Sequence, residues 1–190
     1  MSKLAKHQKD FISQQVYHAG MIKYGPVILD GSSCLYFMEL GLTVLERSGI
    51  RCIPACGTAR FQMRKYVEGE DKPTHLSFEW NTPSGGEYGE AKAAPISRTA
   101  TALPEMHCFI FLPDTQEIVD FSTRSIPRFA ERIGFKFEPE FVPPTYYWEH
   151  PAVLHPVAMY IPNVDATKLA IKILKQQHYE PRSKQQGVNH

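Results

Sequence analysis

A thiol becomes a strong nucleophile when an imidazole takes its proton and a carboxylate orients that imidazole. In this chain of 190 residues the groups that suit such chemistry are Cys34, His107 and Asp120. Cys34 stands where a turn-and-cap string, Asp30-Gly31-Ser32-Ser33, gives way to a proline-free apolar run that ends at Arg47 and is closed by Gly49. That pattern predicts a helix with Ser32 or Ser33 as its N-cap. At a helix start the unpaired backbone N–H groups and the dipole favour a thiolate, and the same donors would hold the oxyanion of a tetrahedral intermediate. Taken alone, Cys34 still reads first as a small core hydrophobe, because free cysteines are among the most buried residues.

The elements that must position these groups are legible by periodicity. Glu39, Thr43, Glu46 and Arg47 recur at helical spacing on the side away from Cys34, which turns the cysteine toward the interior. Met106 to Leu112 and Glu117 to Ser122 have strand composition, and Pro113-Asp114-Thr115-Gln116 between them has turn composition. A hairpin with a loop of two or four residues pairs positions of opposite parity, so His107 and Asp120 share one face, either opposed or one diagonal apart. Asp120 would then hold one imidazole nitrogen and leave the other for a thiol. The plainer alternative is a satisfied strand histidine beside an aspartate paired with Arg124, but three compatible settings together favour the chemistry.

The stretch from Cys34 through Leu45-Glu46-Arg47-Ser48-Gly49-Ile50-Arg51-Cys52-Ile53-Pro54-Ala55-Cys56-Gly57, with His107 on its apolar strand and then Val119-Asp120-Phe121-Ser122-Thr123, resembles the transglutaminase-like core of the papain-like cysteine superfamily. In that core a nucleophilic cysteine opens a helix that ends in an arginine and a Gly-Ile step before a strand. The resemblance implies an α+β papain-like fold with the cysteine helix packed on an antiparallel sheet. It implies Cys34 as nucleophile, His107 as general base and acid, and Asp120 as orienting acid. The reaction implied is hydrolysis of a peptide or amide bond through a thioester. Acyl transfer to an amine, or a binding protein that keeps the fold without catalysis, are the alternatives. Phe109 stands where the family often has tryptophan, and Ser32-Ser33 where a tryptophan is usual near the cysteine; these departures favour a small microbial hydrolase-like branch over glutamine-peptide crosslinking. Gln14, Gln15 and Tyr17 are candidates for a second oxyanion donor, since papain-like folds often draw it from upstream of the cysteine.

Bulk properties exclude other classes. With 21 Lys+Arg against 20 Asp+Glu the net charge is +1, which argues against nucleic acid or a membrane surface as partner and leaves a peptide or amide-containing substrate. No stretch approaches the roughly 20 apolar residues of a membrane helix, and the opening residues lack a secretory core, so a cytoplasmic location is expected. Four cysteines without a framework spacing fit a reducing compartment. Cys52 and Cys56, separated by Ile-Pro-Ala, are not a zinc knuckle, and no metal is expected. Without a P-loop or dinucleotide fingerprint no cofactor is expected either.

One domain over residues 1–190 is expected. Lys3 to Lys23 reads as an opening helix; Cys52 to Cys56, Ala59 to Tyr66, Thr74 to Trp80 and Val153 to Ile161 read as strands; Ile126 to Ile133 and Ala166 to His178 read as helices, the last capped by Asp165. Residues 81–104 have the composition of a flap loop and 181–190 that of a disordered tail. Within Phe141 to His150, Tyr147 and Trp148 are candidates for a substrate wall, with burial over the end of the core as the plainer reading. His150 and His155 are alternative bases that lack a carboxylate in register.

Overall fold

The computed structural model describes residues 4–29, 33–69, 73–78, 80, 106–151 and 158–179; the segments read as flap and tail lie outside them. The fold is α+β. In chain order the elements are α1 (Lys6–Tyr24), α2 (Cys34–Arg47), β1 (Ile53–Gln62), β2 (His75–Phe78), β3 (His107–Leu112), β4 (Glu117–Asp120), α3 (Ile126–Arg132), β5 (Tyr147–Glu149), β6 (Ala158–Pro162) and α4 (Val164–Tyr179). All strand pairs are antiparallel, in the order β2-β1-β3-β4-β5, with β6 also paired to β1. None of the described helices is long and apolar enough to cross a membrane.

The sheet is covered on both faces, which explains why Cys108-Phe109-Ile110-Phe111-Leu112 reads as an unbroken apolar run. Alternation along β3 sends Cys108, Ile110 and Leu112 into one core with Ile12 and Val16 of α1, Phe37, Met38 and Leu45 of α2, and Ala166 and Ala170 of α4. Phe109 goes to the other core, with Phe61, Phe78, Tyr160, and Ile126 and Phe129 of α3. The predicted hairpin forms as read, with Leu112 opposite Glu117 and Ile110 opposite Val119 across a four-residue turn. Beside that turn Glu117 is buried and takes hydrogen bonds from Lys9 (3.0 Å), Thr115 (2.7 Å) and the Trp148 indole (3.3 Å), which ties α1 to the hairpin. Gly41 lets α2 lie close to β3, since a Cβ there would come within 2.6 Å of Ile110 Cδ1.

Two boundaries differ from the sequence reading, for tertiary reasons. Cys52 to Cys56 and Ala59 to Tyr66 are not separate strands: β1 runs unbroken through Gly57 and Thr58. Gly57 serves close approach rather than a turn, because the backbone that closes β6 crosses it, and an added Cβ would collide with the Ile161 carbonyl oxygen. The cap of α4 is Asn163, not Asp165: its Oδ1 accepts from the N–H groups of Asp165 (2.9 Å) and Ala166 (3.0 Å). Asn163 is held there by its own N–H, which donates to the Cys56 carbonyl at 2.7 Å.

Gly57→Ala is therefore expected to destabilise the protein by about 3 kcal/mol or more, since backbone rather than a side chain must move. A urea midpoint equal to that of the wild type would contradict this.

Candidate active site

His107 opens β3 and points into the core shared with Phe109, fully buried at 1% exposure. Its ring is enclosed by Phe78 (5.2 Å between centroids), Phe61 (5.7 Å) and Tyr160 (6.1 Å). Asp120 ends β4 one diagonal away on the same face, as hairpin parity requires, and its Oδ2 lies 2.6 Å from His107 Nε2. A carboxylate this deep must have its lone pairs satisfied. Ser122 donates to Oδ1 through both its N–H (2.8 Å) and its hydroxyl (2.6 Å), and the Tyr160 hydroxyl donates to Oδ2 at 2.9 Å.

Cys34 is the first residue of α2 and is partly exposed, unlike the imidazole. With Nε2 occupied by Asp120, the free ring nitrogen of His107 is Nδ1, and the Cys34 thiol is near enough to act on the imidazole and raise it. The contact is made around the beginning of the strand: α2 covers the face that carries Cys108, whereas His107 issues from the opposite face. Both groups are first residues of their elements, and the Cys34 sulfur lies 4.0 Å from the carbonyl of Met106, the residue before the strand.

The charges follow from these contacts. A hydrogen bond from Cys108 holds the Cys34 thiol well below its ordinary value; burial opposes this, and the hydrogen bond and charge of His107 add to it. Burial pushes the imidazole down, but the Asp120 charge and hydrogen bond, with the Cys34 contact, outweigh it and raise His107 to about 10. Burial likewise pushes Asp120 up, and His107 and Ser122 bring it below the usual carboxylate value. These shifts all run one way: they favour the thiolate at Cys34, the imidazolium at His107 and the carboxylate at Asp120.

The first turn of α2 has no side-chain cap among the described residues. Ser33 is the N-cap residue as predicted, yet its hydroxyl makes no cap bond, and its Oγ is buried without a hydrogen-bond partner among the described residues. The first N–H of this helix to bond an upstream carbonyl is that of Phe37, to Ser33 at 3.0 Å. Donors at Cys34, Leu35 and Tyr36 therefore lack an intrahelical acceptor. Of the upstream candidates, Gln14 and Gln15 are exposed on α1, and the Tyr17 ring lies under the Arg124 guanidinium at 4.2 Å.

Of the two residues read as substrate wall, the structure places both in the interior, at 4% and 2% exposure, on opposite faces of β5. Tyr147 packs on Tyr160 (4.9 Å between centroids) in the layer of the imidazole, while Trp148 lies in the other core and donates to Glu117. His155 lies outside the described residues. Sequence reasoning missed Tyr160, whose partner strand is far along the chain. It also passed over Ser122, for which a signal existed: a residue two after an aspartate commonly donates its N–H to that side chain.

Pairing sets a pH dependence of stability. His107 is raised, so its contribution is full below the unfolded value near 6.5 and is lost as pH rises through about 10. Asp120 is lowered, so its contribution is present above the unfolded carboxylate value and is lost as pH falls through the depressed one. Asp120→Asn is expected to lose about 3 kcal/mol near neutral pH, by leaving a buried cation unpaired, and the difference from wild type should shrink as pH approaches about 10. Urea titrations at the two pH values check it; equal stabilities at neutrality would refute the pair.

No family model matches the chain, and no curated protein matches it. Among solved structures it is similar to a crystal structure described only as a genomics target, at 15% identity and a TM-score of 0.55, over 94% of this chain and 76% of that one. At that identity the likeness is one of fold.

Proposed function

We propose that this chain is a cysteine hydrolase of papain-like, transglutaminase-like architecture, which cleaves a peptide or amide bond through a thioester on Cys34. The observation that carries the reading is the Asp120–His107 pair at 2.6 Å, with the Cys34 thiol acting on the same imidazole from the start of a helix that has no side-chain cap. These are the relations that thiol nucleophiles need, and they come from three distant parts of the sequence.

In this reading the thiolate attacks the substrate carbonyl carbon, and charge moves onto the carbonyl oxygen. The free N–H groups of the first turn and the Ser33 hydroxyl stabilise that oxyanion. His107 gives its Nδ1 proton to the leaving amine as the C–N bond breaks, and a thioester remains on Cys34. Water then attacks, His107 takes its proton, and a carboxylic acid leaves with the thiolate restored. Asp120 keeps its charge throughout and holds the ring, with Ser122 and Tyr160 holding Asp120. Tyr147 enters through its packing on Tyr160; Trp148 has no part. An amine in place of water would turn hydrolysis into transfer. A reducing, cytoplasmic setting suits the free thiols, and neither nucleic acid nor membrane is needed as partner.

An ordinary cysteine of pKa about 8.5 is only about 0.3% ionised at about pH 6. Iodoacetamide is therefore expected to label Cys34 stoichiometrically at that pH, and His107→Ala to slow the labelling at least about tenfold. A labelling rate that instead climbs along an ordinary thiol titration, unchanged in His107→Ala, would leave a fold without the proposed nucleophile.

A further inference from the structure

Two of the remaining cysteines stand in line behind Cys34. Cys34 packs against the core that holds both, Cys108 is the strongest influence lowering the Cys34 thiol, and the Cys108 sulfur lies 3.2 Å from that of Cys56. Cys56 and Cys108 are opposite one another in the β1–β3 register. The backbone of Cys56 faces away from β3, since its N–H donates to Thr167 Oγ1 at 2.9 Å and its carbonyl accepts from Asn163 N–H at 2.7 Å. The pair is thus of the non-hydrogen-bonded kind, with Cα atoms about 4.5 Å apart, within the span of about 4.4–6.8 Å that a disulfide bridges. Exposure is graded along the line: Cys34 is partly open, whereas Cys108 is 2% and Cys56 0% exposed. Neither buried thiol forms or breaks a bond in the proposed acyl chemistry.

We infer that Cys34, Cys108 and Cys56 form a thiol relay, which takes two oxidising equivalents from a hydroperoxide at Cys34 and stores them as a buried Cys56–Cys108 disulfide. The relay rests on the thiolate at Cys34 proposed above. In the first step the Cys34 thiolate attacks the terminal peroxide oxygen; the O–O bond breaks, the departing oxygen takes the Nδ1 proton of His107 and leaves as an alcohol or water, and Cys34 becomes a sulfenic acid. Cys108 sulfur then displaces the hydroxyl, which departs as water with the Cys108 proton, and a Cys34–Cys108 disulfide forms. Finally the Cys56 sulfur attacks that of Cys108, Cys34 leaves as thiolate, and the Cys56 proton passes to solvent. Cys108 lies against Cys56 and is also the residue that acts most strongly on the Cys34 thiol, as a central sulfur must. The direction of the exchange follows from the leaving groups, because the thiol of lowest pKa leaves fastest and Cys34 is the one held low. The consequence is that the nucleophile is returned to service before a second peroxide carries it to the irreversible sulfinic acid.

The test treats the full-length chain with one equivalent of hydrogen peroxide, blocks free thiols with iodoacetamide at successive times, and maps the products by non-reducing mass spectrometry. The relay predicts a Cys34–Cys108 disulfide that appears first, then a Cys56–Cys108 disulfide with Cys34 again alkylated. Cys56→Ser should stop at Cys34–Cys108, and Cys34→Ser should slow formation of the buried disulfide at least about tenfold, since buried thiols react poorly. Wild-type protein that is labelled quickly at about pH 6, yet ends as Cys34 sulfinic acid with no disulfide, would overturn the relay and leave the hydrolase standing. So would a buried disulfide that forms as fast in Cys34→Ser as in wild type. Slow labelling of wild type before any peroxide would remove the thiolate, and with it both readings. The wild-type time course decides by itself if a variant does not fold.

Discussion

A buried carboxylate beside a buried imidazole is the constraint on which the rest of the site depends. Asp120 and His107 are each 1% exposed, so neither reaches water, and leaving either one alone there would cost several kcal/mol. The surroundings answer this with four donors on one carboxylate: the imidazole, two groups of Ser122 and the Tyr160 hydroxyl. Each donor comes with a structural demand. Ser122 must follow β4 in a tight turn, and β6 must lie against β1 so that Tyr160 faces Ala59 and reaches across. The close approach at Gly57 and the Asn163 cap are part of the same demand, since they fix where β6 ends and α4 begins.

The alternation of a single strand divides the chemistry. β3 sends its imidazole to the core that shields charge and its thiol, Cys108, to the core under α2. Cys34 begins α2 beside the start of β3, its sulfur 4.0 Å from the Met106 carbonyl, and both His107 and Cys108 act on its thiol. A nucleophile placed at this junction gains a proton acceptor and a sulfur neighbour from adjacent residues of one strand. Gly41 has a share in that placement, since it sets how near α2 sits to the sheet.

Local patterns made a good part of this readable. Strand periodicity is two, so the parity of the hairpin was enough to put His107 and Asp120 on one face before any contact was known. The start of α2 at Cys34 followed from the turn string before it and the apolar run after it. Less readable were features set by remote segments. Gly57 looks like a break until a distant backbone is seen crossing it, and Asp165 looks like a cap until Cys56 is seen holding Asn163. Tyr147 and Trp148 read together as one aromatic wall, but adjacent strand residues point to opposite faces, and the loop gave no strand signal strong enough to separate them. The lack of a side-chain cap from Ser33 was also invisible, as residue type predicts a cap while only packing decides where the hydroxyl points.

The most direct measurement is a pH titration of thiolate absorbance in the ultraviolet, taken as wild type minus Cys34→Ser, alongside the same difference in an Asp120→Asn background. The buried pair predicts that the Cys34 band is already present well below the ordinary thiol value of about 8.5, and that it moves up toward that value when the carboxylate is neutralised. A band that rises only in the ordinary thiol range, and does so equally in both backgrounds, would contradict the charged arrangement of Cys34, His107 and Asp120.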